Sequence, residues 1–365
     1  MTVKLVLENL KHKPIRSLLS ILLIGVPVTL ILCLVGLSYG MLEDSQNRAH
    51  GVGADIIVRG SNASSVLNFS GAAMSQALVA FLEKQPHVKL ALGVINHPVD
   101  LPLILTGLDL DKFNRMSGGF EYVAGGPFRA PDDIIVDQLY AAQKKLSVGG
   151  TVSLINHTWR VCGIVKPGKL TRIAVSLKVL QDLDGATAKI SQAYVQIDNP
   201  ADVNSVAQQL RQALPGYPIN TMAEWTAMFN VNNIQGLREF IDVIMGIGVV
   251  IGFAVVCLSM YMAVFQRTRE IGILKSLGGS KSFILRIILI EALALGCGGT
   301  IIGIGMSYGA YWLIRTLIPA SIPMIIVHSW WPKALLITLL GTGFGALYPG
   351  LSAARQDPIE ALAYE

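Results

Sequence analysis

Residues 17–42 read SLLSILLIGVPVTLILCLVGLSYGML, 26 consecutive positions without a charged side chain. A helix rises about 1.5 Å per residue and the hydrocarbon core of a bilayer is about 30 Å thick, so ~20 apolar residues cross it. Nothing but a helix or a closed barrel satisfies its backbone there. The run exceeds the roughly 7–15 residues of a signal-peptide core, and no small-x-small cleavage pattern follows Tyr39, so it is expected to stay as an anchor. Three more stretches qualify: 243–265, 287–314 with one acid at Glu291, and 334–354. Each span carries glycines four apart, which stack on one helix face and let backbones approach: Gly36/Gly40, Gly248/Gly252, Gly299/Gly303 with Gly305/Gly309, and Gly341/Gly345.

Composition agrees with this reading. The 365 residues are 52% hydrophobic and 15% charged, against ~25% charged in an average soluble domain. That excludes a disordered chain and argues against a purely water-soluble enzyme. The net charge of +5 divides unevenly: residues 43–242 carry 17 basic and 18 acidic side chains, the remainder 12 and 6. The basic excess therefore lies beside the apolar spans, where it suits a membrane surface and not nucleic acid. Four cysteines, three of them in apolar runs (Cys33, Cys257, Cys297), make neither a disulfide framework nor a zinc spacing.

Lysine and arginine near the span ends set the orientation. Lys4, Lys11, Lys13 and Arg16 precede the first span; Arg267, Arg269, Lys275, Lys281 and Arg286 lie between the second and third. Both termini are thus expected inside and residues 43–241 outside. The division is an amphipathic surface helix over 1–14, spans over 15–42, 242–265, 287–314 and 334–354, an inner segment over 266–286, a short outer loop over 315–333 and an inner tail over 355–365. At 199 residues the outer segment is too long for a loop and must be a folded domain. Its alternation predicts strands over 55–59, 103–106, 151–155, 159–165 and 194–197, with Asn156-His157-Thr158 closing a hairpin, and helices over 74–84 and 203–214. Residues 61–65 read as an exposed loop. The fold class is an α-helical membrane protein of four spans with a large α+β domain between the first and second.

After the second span, Arg267-Thr268-Arg269-Glu270-Ile271-Gly272-Ile273-Leu274-Lys275-Ser276-Leu277-Gly278-Gly279 places Ile271, Leu274 and Leu277 at helical spacing and then stops on two glycines. A short helix with charges and an apolar ridge suits a groove on a soluble partner. On pattern alone a solvated basic connector between two spans is the plainer reading.

At these residues the sequence resembles the MacB/FtsX-like permeases of ATP-binding-cassette (ABC) transporters. Arg267–Gly278 is similar to that family's signature after its second span. Pro349-Gly350-Leu351-Ser352-Ala353-Ala354-Arg355-Gln356-Asp357-Pro358-Ile359-Glu360-Ala361-Leu362 is similar to its C-terminal motif, with Pro349, Arg355, Pro358 and Glu360 at the matching positions. Glu8-Asn9-Leu10, Pro14–Leu19, Glu291 and residues 125–165 also fit. The resemblance implies a permease working as a homodimer with two ABC ATPase subunits, which press on the segment from Arg267 to Gly278 and so move the outer domain; a periplasmic adaptor is a further implied partner. It also implies a bacterial cytoplasmic membrane and export of a substrate the residues do not name. Lipoprotein release and control of a cell-wall hydrolase are the alternatives within the family.

No Gly-x-x-x-x-Gly-Lys-[Ser/Thr] occurs, so ATP and Mg²⁺ are expected on the partner chain and no cofactor in this one. Gly305-Met306-Ser307-Tyr308-Gly309 matches a hydrolase elbow formally, but it lies inside a span, away from every histidine. His50, His87, His97 and His157 show no metal spacing. Glu291, near the inner end of its span, calls for a structural partner such as Arg286.

Overall fold

The computed structural model describes residues 14–60, 74–100, 103–228, 237–266, 268–320 and 323–355, without the side chains of Arg16, Asp100, Leu237, Arg238, Phe240, Ile241, Arg269 and Glu270. The expected amphipathic helix at the N-terminus and the loop over 61–65 lie outside these residues. The chain divides into two compact units. One comprises residues up to Tyr39 with Gly236–Leu313 and Met324–Glu365; the other comprises Gly40–Gln235 with Ile314–Pro323.

Among the described residues, four helices are long and apolar enough to cross a membrane: α1 (Pro14–His50), α8 (Leu237–Gln266), α10 (Lys281–Leu317) and α11 (Trp331–Arg355), with the short α9 (Thr268–Ser276) between the second and third. The helices exceed the predicted spans at most ends, because helical backbone continues where hydropathy stops. Pro27 and Pro349 sit inside α1 and α11 without ending them. In the apolar unit, glycines set the closest approaches. A Cβ at Gly299 would lie 2.5 Å from Ile24 Cγ2, and one at Gly303 would lie 2.7 Å from Val28 Cβ, so α1 and α10 pack on this pair. Gly345 of α11 likewise lies against the Phe253 carbonyl of α8. Gly252, Gly305 and Gly309, expected by the same spacing, face open space.

The second unit is built on a mixed sheet. Its strands are β1 (Ile56–Arg59), β3 (Val88–Asp100), β4 (Leu103–Leu108), β5 (Tyr122–Gly125), β6 (Asp133–Asp137), β7 (Thr151–Leu154), β8 (His157–Val165), β9 (Ile173–Ser176), β11 (Gln192–Ile197) and β12 (Ile219–Thr221); β2 (Met74–Ser75) and β10 (Lys189–Ile190) form a separate pair. The order is β12-β1-β11-β3-β4-β9-β6-β8-β5, with β7 also on β8; β4/β9 and β6/β8 are parallel and the other pairings among the described residues antiparallel. Helices α2 (Ala77–Glu83), α3 (Leu110–Ser117), α4 (Gln138–Lys144), α5 (Leu177–Leu183), α6 (Val203–Ala213) and α7 (Met222–Met228) complete the α+β unit. Local chemistry starts them where the sequence allows: Asp109 accepts from Asp111 N and Lys112 N at the head of α3, and Asp137 from Tyr140 N at 2.7 Å at the head of α4.

Two expectations for this unit are corrected. Residues 74–84 are not one helix: Met74–Ser75 pairs with β10 before α2 begins. The β7–β8 turn is Ile155-Asn156, not Asn156-His157-Thr158. Both residues have positive φ, 51° and 58°, as in the mirror-image turn that matches strand twist, and His157 already pairs with Leu154.

One polar group is sealed into this unit. The Arg172 side chain, 3% exposed, reaches Asp137 Oδ2 at 2.8 Å and Asp44 Oδ1 at 2.9 Å; Arg48 binds the other Asp44 oxygen at 3.1 Å. Burial pushes the Asp137 carboxyl above its usual range, while Arg172 and the Tyr140 amide pull the other way.

Candidate functional site

Helix α9 carries most of the residues predicted to couple the chain to a partner. Thr268 opens it, donating its hydroxyl to the carbonyls of Val264 (3.2 Å) and Phe265 (3.0 Å). Its end is built by two bonds: Gly279 N donates to Leu274 O at 2.9 Å and Gly278 N to Lys275 O at 3.0 Å. This is a Schellman closure, and Gly278 holds the required left-handed conformation at φ 92°. Ser280 then caps α10 by accepting from Phe283 N at 3.2 Å.

The expected apolar ridge is divided between two faces. Ile271 is buried among Val264, Ile284, Ile288 and Ala353, and Leu274 packs on the same cluster. These two hold α9 to the long helices and are not available to a partner. Ile273 and Leu277 are 45% and 80% exposed. Spacing alone could not separate the two sets, because each is helical with respect to itself. Gly272 is buried on the inner side.

Lys275, one of the charges on the segment expected to meet a partner, donates from Nζ to the carbonyl of Ala354 at 3.0 Å, near the end of α11. The acceptor is a backbone atom, so no side-chain pattern announces it. Pro349 is buried in α11, and Arg355 is exposed at its last described turn. Arg267, Pro358 and Glu360 lie outside the described residues, as do the side chains of Arg269 and Glu270.

Glu291 is 7% exposed on the buried face of α10 with Ile287, Ile288 and Ala292. Arg286 is exposed. Ser307 is buried and donates to the Ile304 carbonyl at 2.7 Å, an ordinary helical back-bond. Far along the sequence from one another, His87, Asp198 and Asp202 do converge: Nδ1 lies 3.5 and 3.8 Å from the two carboxylates. The spacing of the histidines gave no sign of this group, since its acids come from a different turn.

Two family models match the chain: the MacB-like periplasmic core domain over residues 17–213 and the FtsX-like permease C-terminal region over 243–358. The chain is 32% identical over 228 residues to the ABC transporter permease YknZ of Bacillus subtilis, covering 60% of this chain and 55% of that one. It is 32% identical over 189 residues to the macrolide export ATP-binding/permease protein MacB of Rhodopirellula baltica, covering 48% of this chain and 27% of that one. The chain thus spans about half the length of the first of these relatives and about a quarter of the second. The periplasmic region of MacB from Actinobacillus actinomycetemcomitans aligns with 51% of this chain and 97% of its own, at 15% identity and a TM-score of 0.38. One model takes in the first apolar helix and most of the α+β unit, the other α9 and the last three apolar helices, and together they establish that the chain belongs to the MacB/FtsX-like ABC transporter permeases.

Proposed function

We propose that this multi-pass membrane protein couples ATP hydrolysis on a separate ABC ATPase chain to movement of its α+β unit, driving export of a substrate across or away from a bacterial cytoplasmic membrane. The observation that carries the reading is α9. A nine-residue helix is closed by glycine, fastened on one side by Ile271, Leu274 and Lys275, and presents Ile273 and Leu277 on the other. Exposed aliphatic side chains on a short, basic connector are poorly explained by solvation, and a cleft on a soluble partner would cover them. In this proposal the ATPase binds ATP and Mg²⁺, and this chain supplies the docking helix.

Two copies of the permease would serve two ATPase subunits. In support, α8 is the least covered of the four apolar helices, with 11% of its most apolar window buried against 39–50% in the others. Both termini and α9 would face the cytoplasm, a placement that the distribution of Lys and Arg favours.

The test is co-purification of the full chain with the ABC ATPase subunit of the same organism that it is proposed to serve. Ile273→Glu and Leu277→Glu should abolish association and permease-dependent ATPase activity while the purified permease keeps its thermal stability, since neither side chain is buried. Complexes that form and hydrolyse ATP at the unmodified level would refute the docking role.

A further inference from the structure

We propose that His87, Asp198 and Asp202 form a binding site for a divalent, zinc-class ion on the α+β unit, with one coordination position open to the outside. The site does not rest on the function proposed above. His87 stands immediately before β3, Asp198 immediately after β11, and Asp202 immediately before α6. Backbone bonds fix all three positions. Asp198 N donates to the His87 carbonyl at 3.1 Å, and Asp202 N to the Asn199 carbonyl at 3.0 Å. His87 holds a φ of 64°, a left-handed conformation that costs a histidine more than a glycine.

Distance separates this group from the other imidazole–carboxylate pairs of the unit. His97 Nδ1 closes to 2.8 Å on Asp184, and His157 Nε2 to 2.8 Å on Asp132. Those are hydrogen-bond lengths. His87 Nδ1 instead stands off from two carboxylates at once, 3.5 Å from Asp198 Oδ1 and 3.8 Å from Asp202 Oδ2. Tetrahedral coordination with bonds of ~2.0–2.2 Å sets neighbouring ligand atoms about 3.3–3.6 Å apart, so these separations suit a shared ion better than a hydrogen bond. All three ligand atoms lie within 4.8 Å of one another, and the Asp198 side chain, 55% exposed, has room to turn its carboxylate towards an ion. Neither carboxylate is engaged elsewhere: among the described residues neither has a lysine, an arginine or a hydrogen-bond donor as a partner.

The donor set selects the ion. One imidazole nitrogen with two carboxylates suits zinc, cobalt or manganese, whereas calcium and magnesium take sets of oxygen ligands. Two ionised carboxylates also balance the charge of a divalent ion. Three protein ligands leave a fourth tetrahedral position. Because His87 and Asp198 are both more than half exposed, that position opens to solvent, where water or a donor atom of another molecule completes it. A bound ion would tie the start of β3 to the head of α6.

The test titrates the full chain, free of any affinity tag and stripped by a chelator, with Zn²⁺ in a calorimeter, and reads the loaded site by X-ray absorption at the zinc edge. One ion per chain should bind, with nitrogen and oxygen neighbours and no sulfur. His87→Asn, which suits the left-handed backbone, should weaken binding about a hundredfold or more, as should Asp198→Asn and Asp202→Asn, since even an outer partner of a metal ligand is worth about 10–100-fold. His157→Ala, which removes an ordinary imidazole–carboxylate pair, should leave the affinity unchanged. Circular dichroism of the metal-free variants should match the parent, because none of these side chains is buried. Asp198→Asn, the mildest change at the most exposed ligand, decides the matter if another variant unfolds. An absence of binding, sulfur neighbours that put the ion on a cysteine, affinity that survives Asp198→Asn, or an equal loss in His157→Ala would overturn the site.

Discussion

Replacing Arg172 by methionine tests the buried charge group of the α+β unit. The substitution roughly preserves side-chain length and removes the cation that lies 2.8 Å from Asp137 and 2.9 Å from Asp44. Asp137 is itself 2% exposed, so its carboxylate would stay buried without an ionic partner, whereas Asp44 keeps Arg48. Breaking a buried pair by removing one partner costs about 3–5 kcal/mol. For a unit of this size each kcal/mol is worth about 2–4 °C, so the melting temperature should fall by roughly 6–20 °C. The assay is thermal unfolding of the purified full chain followed by circular dichroism, repeated across pH. Burial raises the Asp137 carboxyl in the folded state, so its ionised form is a cost once the pH exceeds the folded-state value, and that cost vanishes below the ordinary carboxylate range. The deficit of Arg172→Met should therefore shrink as the pH is lowered from 7 towards 4. Adding Asp137→Asn should recover much of the lost stability at pH 7. A fall of under ~2 °C, or a deficit that grows on acidification, would refute the argument that desolvated charge dominates here.

Glycines in the apolar helices should separate by position: Gly299→Ala, whose new methyl meets Ile24, should destabilise the purified chain by ~1–3 kcal/mol, whereas Gly305→Ala enters open space and should be neutral or slightly stabilising in the same detergent unfolding assay. Asp133 behaves oppositely to Asp137. Burial opposes its ionisation, but the amides of Arg129 and Ala130 and the Arg160 guanidinium outweigh it and hold the carboxyl below its usual range. Its stabilisation is present above the ordinary carboxylate value and is lost as the pH falls through the lowered one, so Asp133→Asn should be most damaging near neutral pH and progressively harmless in acid.

How far the sequence could be read depended on whether a signal was local. Residues 17–42 and the three other apolar runs declare membrane helices unaided, because length and the absence of charge are counted along one segment. The helix around residue 271 and its glycine stop were legible for the same reason: a 3.6-residue period and a left-handed closure at Gly278 are properties of consecutive residues. Val203–Ala213 could be read from its one buried stripe. Strands such as β6 and β9 were not, since Ile134-Ile135-Val136 and Ile173-Ala174-Val175 are covered on both faces and lose the alternation that marks a half-buried strand.

The division of the coupling ridge belongs to another category. Ile271, Ile273 and Leu274 are chemically alike, and which of them turns inward depends on Ile284, Ile288 and Ala353, residues remote in the chain. The same holds for the glycine pairs, of which Gly299/Gly303 meets α1 while Gly305/Gly309 faces open space among the described residues. The sequence by itself determined the number of spans, the place of the large insert and the family. Tertiary structure alone decided that Lys275 reaches a backbone carbonyl 79 residues away and that Arg172 lies between two aspartates from distant segments. The physical reason is that periodicity and charge are additive along a chain, whereas a hydrogen-bond partner or a buried ion pair exists only once the segments holding its two halves have packed.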